Sequence, residues 1–123
     1  MATNYVQPGE VIDWTNGTGS AKAAGIVVAV GQMLGVTLVD IANAATGSVR
    51  IRGVFTVPKV SAAVIAAGES LVWDASAAAF DDNAATPASG DISGPPAVAV
   101  EAAGNGVTSF DVLFTGVPGT KTP

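Results

Sequence analysis

Clusters of glycine, asparagine and proline divide this chain into short apolar runs, and that spacing favours many short strands over long helices. Val11 to Thr15 reads as a strand closed by Asn16-Gly17-Thr18-Gly19-Ser20, where Asn and Gly accept the positive φ of tight turns. Asn16-Gly17-Thr18 also fits the N-glycosylation sequon, but nothing marks the chain as secreted and the turn reading takes precedence. Gly25 to Val30 and Met33 to Ile41, separated by Gly31-Gln32, read as a hairpin. This region holds the longest charge-free run, Ala23 to Val39. Its glycines, together with a length short of the roughly 20 apolar residues that cross a bilayer, exclude a membrane helix.

Ser48 to Val57 reads as one strand, with Val49 and Ile51 on one face, Arg50 and Arg52 on the other, a bulge at Gly53 and an end at Pro58. Ser61 to Ala67 is expected to form one short helix, with Ser61 as N-cap and Gly68 just past its end. Ser70 to Asp74 returns to strand, with Leu71 and Trp73 on one face. From Ala75 to Pro96 the composition shifts to Ala, Asp, Asn, Ser, Gly and Pro, broken by Phe80 and Ile92, and reads as a long surface loop or weakly paired ribbon. Ala97 to Ala102 and Val107 to Thr115 flank a Gly104-Asn105-Gly106 turn, the latter with Phe110, Val112 and Phe114 on one face. These signals predict a small all-β domain, a barrel or sandwich with one short helix. At 123 residues there is room for one core. Residues 1–10 read as a flexible polar arm ending at the Gln7-Pro8-Gly9 turn, and residues 11–123 as the single β domain.

The side-chain inventory narrows the chemistry. Histidine and cysteine are both absent, which removes the usual general base near neutral pH, the thiolate nucleophile and the commonest zinc ligands. Gly17-Thr18-Gly19-Ser20-Ala21-Lys22 matches neither the dinucleotide nor the phosphate-loop pattern. Asp81-Asp82-Asn83 lacks the glycine and glutamate of a helix-loop-helix calcium site. Carboxylates drawn from Glu10, Asp13, Asp40, Glu69 and Asp74 are the remaining catalytic candidates, and a chain this small has little room for a deep cleft beside its core. The expectation is a protein without catalysis, metal or cofactor. A net charge of −5 makes nucleic acid and anionic membrane poor partners.

Charged residues make up 12% of the chain, against about 25% in soluble domains, while 49% is hydrophobic. Such a chain has few charges with which to cover its surface, which points to burial against other proteins; the alternative is that alanine supplies most of the apolar count. Arg50 and Arg52 are either a solvated face or members of a subunit interface. Trp14 and Trp73 lie in strand-like apolar patterns and read as core residues more readily than as binding anchors.

Gly53-Val54-Phe55-Thr56-Val57-Pro58-Lys59, then Gly68-Glu69-Ser70-Leu71-Val72-Trp73-Asp74, a variable Ala/Asp/Gly loop and Ala97-Val98-Ala99-Val100-Glu101-Ala102-Ala103-Gly104 before a terminal strand resemble the capsid cement, or head decoration, proteins of tailed bacteriophages and prophages. Tyr5-Val6-Gln7-Pro8-Gly9 is similar as well. The resemblance implies a β-tulip or barrel-like domain and homotrimers on the outer surface of the virion capsid. It also implies binding to the major capsid protein that stabilises the shell against the pressure of packaged DNA. The capsid-binding arm would be Ala2, Thr3, Asn4, Tyr5, Val6, Gln7 and Pro8, which order on the shell, and a carbohydrate- or host-surface-binding β module is the alternative.

Overall fold

A computed structural model describes residues 9–123, and among them the chain is all-β. Val11–Thr15 (β1), Val27–Val30 (β2), Met33–Thr37 (β3) and Thr46–Arg50 (β4) form a four-stranded antiparallel sheet in the order β1-β4-β3-β2. Arg52–Pro58 (β5), Ser70–Asp74 (β6), Ala79–Asp81 (β7), Ile92–Ala99 (β8), Ser109–Thr115 (β9) and Thr120–Lys121 (β10) form the second sheet, ordered β5-β9-β8-β6-β7 with β10 added to β8.

The first hairpin follows the sequence closely: Val30 pairs with Met33 around Gly31-Gln32. The run from Ser48 to Val57 does not remain one strand. Arg50 ends β4 in the first sheet, Arg52 begins β5 in the second, and Ile51 between them donates its N–H to the Glu10 carbonyl at 2.9 Å. Gly53 makes this corner possible, because its φ of +131° is closed to residues with a Cβ.

Two further expectations are corrected. The sheets do not close into a barrel; β5 and β7 approach at an isolated parallel bridge, Lys59 to Phe80. The expected helix from Ser61 to Ala67 is absent. After a turn at Ser61-Ala62, Ala63 and Ile65 are buried while Val64 and Ala66 are exposed, a period of two rather than 3.6. Ile65 exchanges both main-chain hydrogen bonds with Ala103, at 2.8 and 2.9 Å, so the segment is held by an isolated bridge to the β8–β9 connection and has no helical ladder.

The main core lies between the sheets. Val27, Leu34 and Val36 of the small sheet meet Val57, Leu71, Trp73, Ile92, Phe110, Val112 and Phe114 of the large one. Phe80 lies at its centre, fully buried and in edge contact with Trp73, Phe110 and Phe114 at centroid distances of 4.9, 6.4 and 6.0 Å. Burial of large rings in this geometry exceeds what their area alone contributes. Of the two readings of Ala75 to Pro96, loop or weakly paired ribbon, the structure has paired strands that carry two core residues, Phe80 and Ile92. The other face of the small sheet forms a second, smaller cluster of Val28, Ile41, Val49 and Ile51 under Ile12, Trp14 and Met33.

Candidate interaction surface

The buried polar side chains are committed to the protein's own main chain. Asn16, wholly buried, donates its amide to the carbonyls of Ser20 (2.9 Å) and Ile41 (3.0 Å) and accepts from the Thr18 N–H and hydroxyl. This explains why Asn-Gly-Thr is a turn: the amide nitrogen that a glycan would occupy is enclosed and hydrogen-bonded. Lys59, also buried, directs its Nζ at four carbonyls, those of Val60, Ser61, Gly104 and Val107, at 2.9 to 3.2 Å. It thereby ties the turn after β5 to the turn before β9. The Asp91 carboxylate accepts from the Ala75 and Ala88 N–H groups and fastens the connection between β7 and β8.

The carboxylates considered for catalysis are dispersed in the same way. Asp40 accepts from the Ala24 N–H, Glu69 from the Ala66 and Asn83 N–H groups, and Asp74 from its own turn. The Asp74 carboxyl is held below the usual carboxylate range, first by the Ser76 hydroxyl and then by the Ala77 N–H. In Asp81-Asp82-Asn83 the carboxylates accept neighbouring main-chain N–H groups.

Arg50 and Arg52 are brought together. Arg50 donates from Nε to the Arg52 carbonyl at 2.8 Å and forms an ion pair with Glu10 at 2.9 Å. Both arginines line an open groove of about 390 Å³ with Glu10, Gly53, Leu113, Phe114 and Thr115. Arg52 is exposed; its Nε reaches the Thr115 carbonyl at 3.4 Å, and no carboxylate pairs with it among the described residues. The arm residues Ala2, Thr3, Asn4, Tyr5, Val6, Gln7 and Pro8 lie outside the described residues. Trp73 is core, and Trp14 packs half-buried against the second cluster.

Next to the groove lies a surface not singled out from sequence. Val54 is opposite Leu113, and Leu113 is opposite Val98, forming an apolar row across β5, β9 and β8 on the face turned away from the core. Val54 is 55% exposed and Leu113 39%. The signal was present: in both β5 and β9 the positions alternating with buried residues include aliphatic side chains where a solvated face would be polar. At one end of the row stand Arg52 and Thr115; at the other, Thr56 and Asp111 are joined by a 2.6 Å hydrogen bond, and Glu101 accepts from the Asp111 N–H.

This is a surface suited to protein contact, on a domain whose buried polar groups serve its own loops. No curated protein sequence matches the chain. A family model described as phage cement protein matches residues 6–114. The chain therefore belongs to the phage cement protein family, structural proteins that bind the phage capsid and reside on the virion.

Proposed function

We propose that this chain acts as a non-catalytic clamp on the outer surface of a tailed-phage head, standing there as a homotrimer. In this role it binds the major capsid protein and holds neighbouring capsid subunits against the outward pressure of packaged DNA. The observation that carries the reading is the division of labour among side chains: Asn16, Lys59 and Asp91 are consumed by the protein's own main chain, whereas the large exposed side chains include Val54, Val64, Val100 and Leu113. Apolar side chains gathered on a surface mark protein contact. Catalysis has no support in the residue inventory, which lacks His and Cys, and the net charge of −5 opposes binding to DNA. A glycan-binding module would need an exposed aromatic platform, yet Trp73 is buried and Trp14 half-buried.

In this reading Ala2 to Pro8 form the capsid-binding arm, with Tyr5 and Val6 as its apolar anchors. Ordering each residue costs about 1–2 kcal/mol, so an arm binds where backbone pairing and side-chain burial offset that cost. A variant lacking Met1 to Pro8 should melt at nearly the wild-type temperature and fail to co-sediment with undecorated capsids. Equal capsid binding by the two proteins would refute the arm's role. Wild-type protein that leaves capsids bare would refute the cement reading for this chain.

A further inference from the structure

The exposed face of the large sheet is chemically polarised along its strands. Reading β5 from its start, the outward residues are Arg52, Val54 and Thr56; on β9 beside it they are Thr115, Leu113 and Asp111. One end is therefore basic, the middle aliphatic and the other end acidic. The two ends are four residues apart on β5, about 13 Å at the rise of a strand. The basic end is concave, since Arg52 and Leu113 line the groove that also holds Glu10 and Arg50. At the acidic end Glu101 is exposed, with Val100, 50% exposed, beside it.

A surface carrying both signs of charge on either side of an apolar row is complementary to itself. We propose that this face is the contact between copies of the chain, closed head to tail, with the Arg52 end of one copy against the Asp111 and Glu101 end of the next. The proposal rests on the oligomeric reading above and specifies its geometry. End-to-end closure around a symmetry axis sets the basic end of each copy against the acidic end of the next. The opposite charges at the two ends favour this closure.

Sedimentation velocity tests the contact. Wild-type protein should assemble, and Val54→Asp should be monomeric with an unchanged circular dichroism spectrum. Arg52→Glu and Glu101→Arg should each weaken assembly at least about tenfold, and the swap of both in one chain should restore it. Mixing the two single variants separates the geometries, because opposite charges can alternate around an even ring but not around three copies. A three-membered ring stays broken in the mixture, whereas a two-fold dimer is rescued. Rescue to a dimer would retain this face and overturn the trimer. Trimers that persist in Val54→Asp would retain the trimer and overturn this face. A swap as weak as the single variants, or a monomeric wild type, also overturns the proposed contact, while the capsid-binding reading still stands or falls by co-sedimentation.

Discussion

The two sheets are held together by different means. In the large sheet β5 and β9 pair over seven residues, from Arg52 with Thr115 to Pro58 with Ser109, and the inner face buries Phe110, Phe114, Trp73 and Phe80. In the small sheet β3 and β4 pair at just two positions, Val36 with Arg50 and Thr37 with Val49. Polar side chains make up the difference there. Asn16 bridges to Ile41, Asp40 holds Ala24, and the Thr37 hydroxyl accepts from the Ile26 N–H and donates to the Ala23 carbonyl. Close packing adds to this: a Cβ on Gly35 would lie 2.5 Å from a Val49 methyl, so β3 accepts no side chain where Val49 crosses it. The large sheet thus combines long pairing and aromatic burial with turns fastened by Lys59 and Asp91, whereas the small sheet, with its shorter β3–β4 pairing, adds directional bonds from Asn16, Asp40 and Thr37 within its own connections.

The sharpest way to break this contrast is at its centre. Phe80→Ala should destabilise the whole domain by about 3–5 kcal/mol, because the ring contacts three other aromatics and its space cannot collapse. Denaturant unfolding measures this, and a loss below about 1 kcal/mol would show that the core is more tolerant than its packing implies. Asn16→Ala should cost less, about 1–3 kcal/mol, because it removes the amide's bonds to the Ser20 and Ile41 carbonyls and takes the Oδ1 acceptor from the Thr18 N–H. Its signature should be local: faster amide exchange around residues 16–20 and 41–45, with β9 still protected. Uniform loss of protection would erase the distinction between the sheets. The smallest effect belongs to Asp74. Its folded-state acidity is enhanced, so its contribution to stability is present above the ordinary carboxylate value of 3.8 and is lost as pH falls through the lower folded-state value. Asp74→Asn should flatten that acid limb of the melting profile slightly; an unchanged profile would remove the turn from the account.

The parts of the fold legible in the sequence lie in both sheets. Strand β1, the β2–β3 hairpin and the inward row Phe110, Val112, Phe114 follow from local alternation and turn chemistry, which act within a few residues. The segment from Ser61 to Ala67 misleads because alanine favours helix locally, whereas Ile65 is claimed by Ala103, far along the chain. Phe80 and Ile92 looked like interruptions in a loop or weakly paired ribbon because the residues around them are small and polar, although both pair with Trp73, Phe80 across the short β6–β7 hairpin. The change of sheet at Ile51 had a visible trace in Gly53, which reads equally well as a bulge. Arg50 and Arg52 were picked out by charge, while Val54 and Leu113 became visible only once β5 and β9 were seen side by side.

The enclosure of Lys59 has a practical consequence. Of the chain's three lysines, Lys121 is exposed and Lys22 partly so, whereas the Lys59 amine faces four carbonyls and is shut off from reagents. Amine-reactive labelling should therefore load Lys22 and Lys121 quickly and reach Lys59 only when the turns around it part. Mass spectrometry of a labelled, decorated virion would then use Lys59 as a clock, each slow modification recording one opening of the coat protein while it remains on the shell. Labelling of Lys59 as fast as Lys121 would show that the cage does not stay shut.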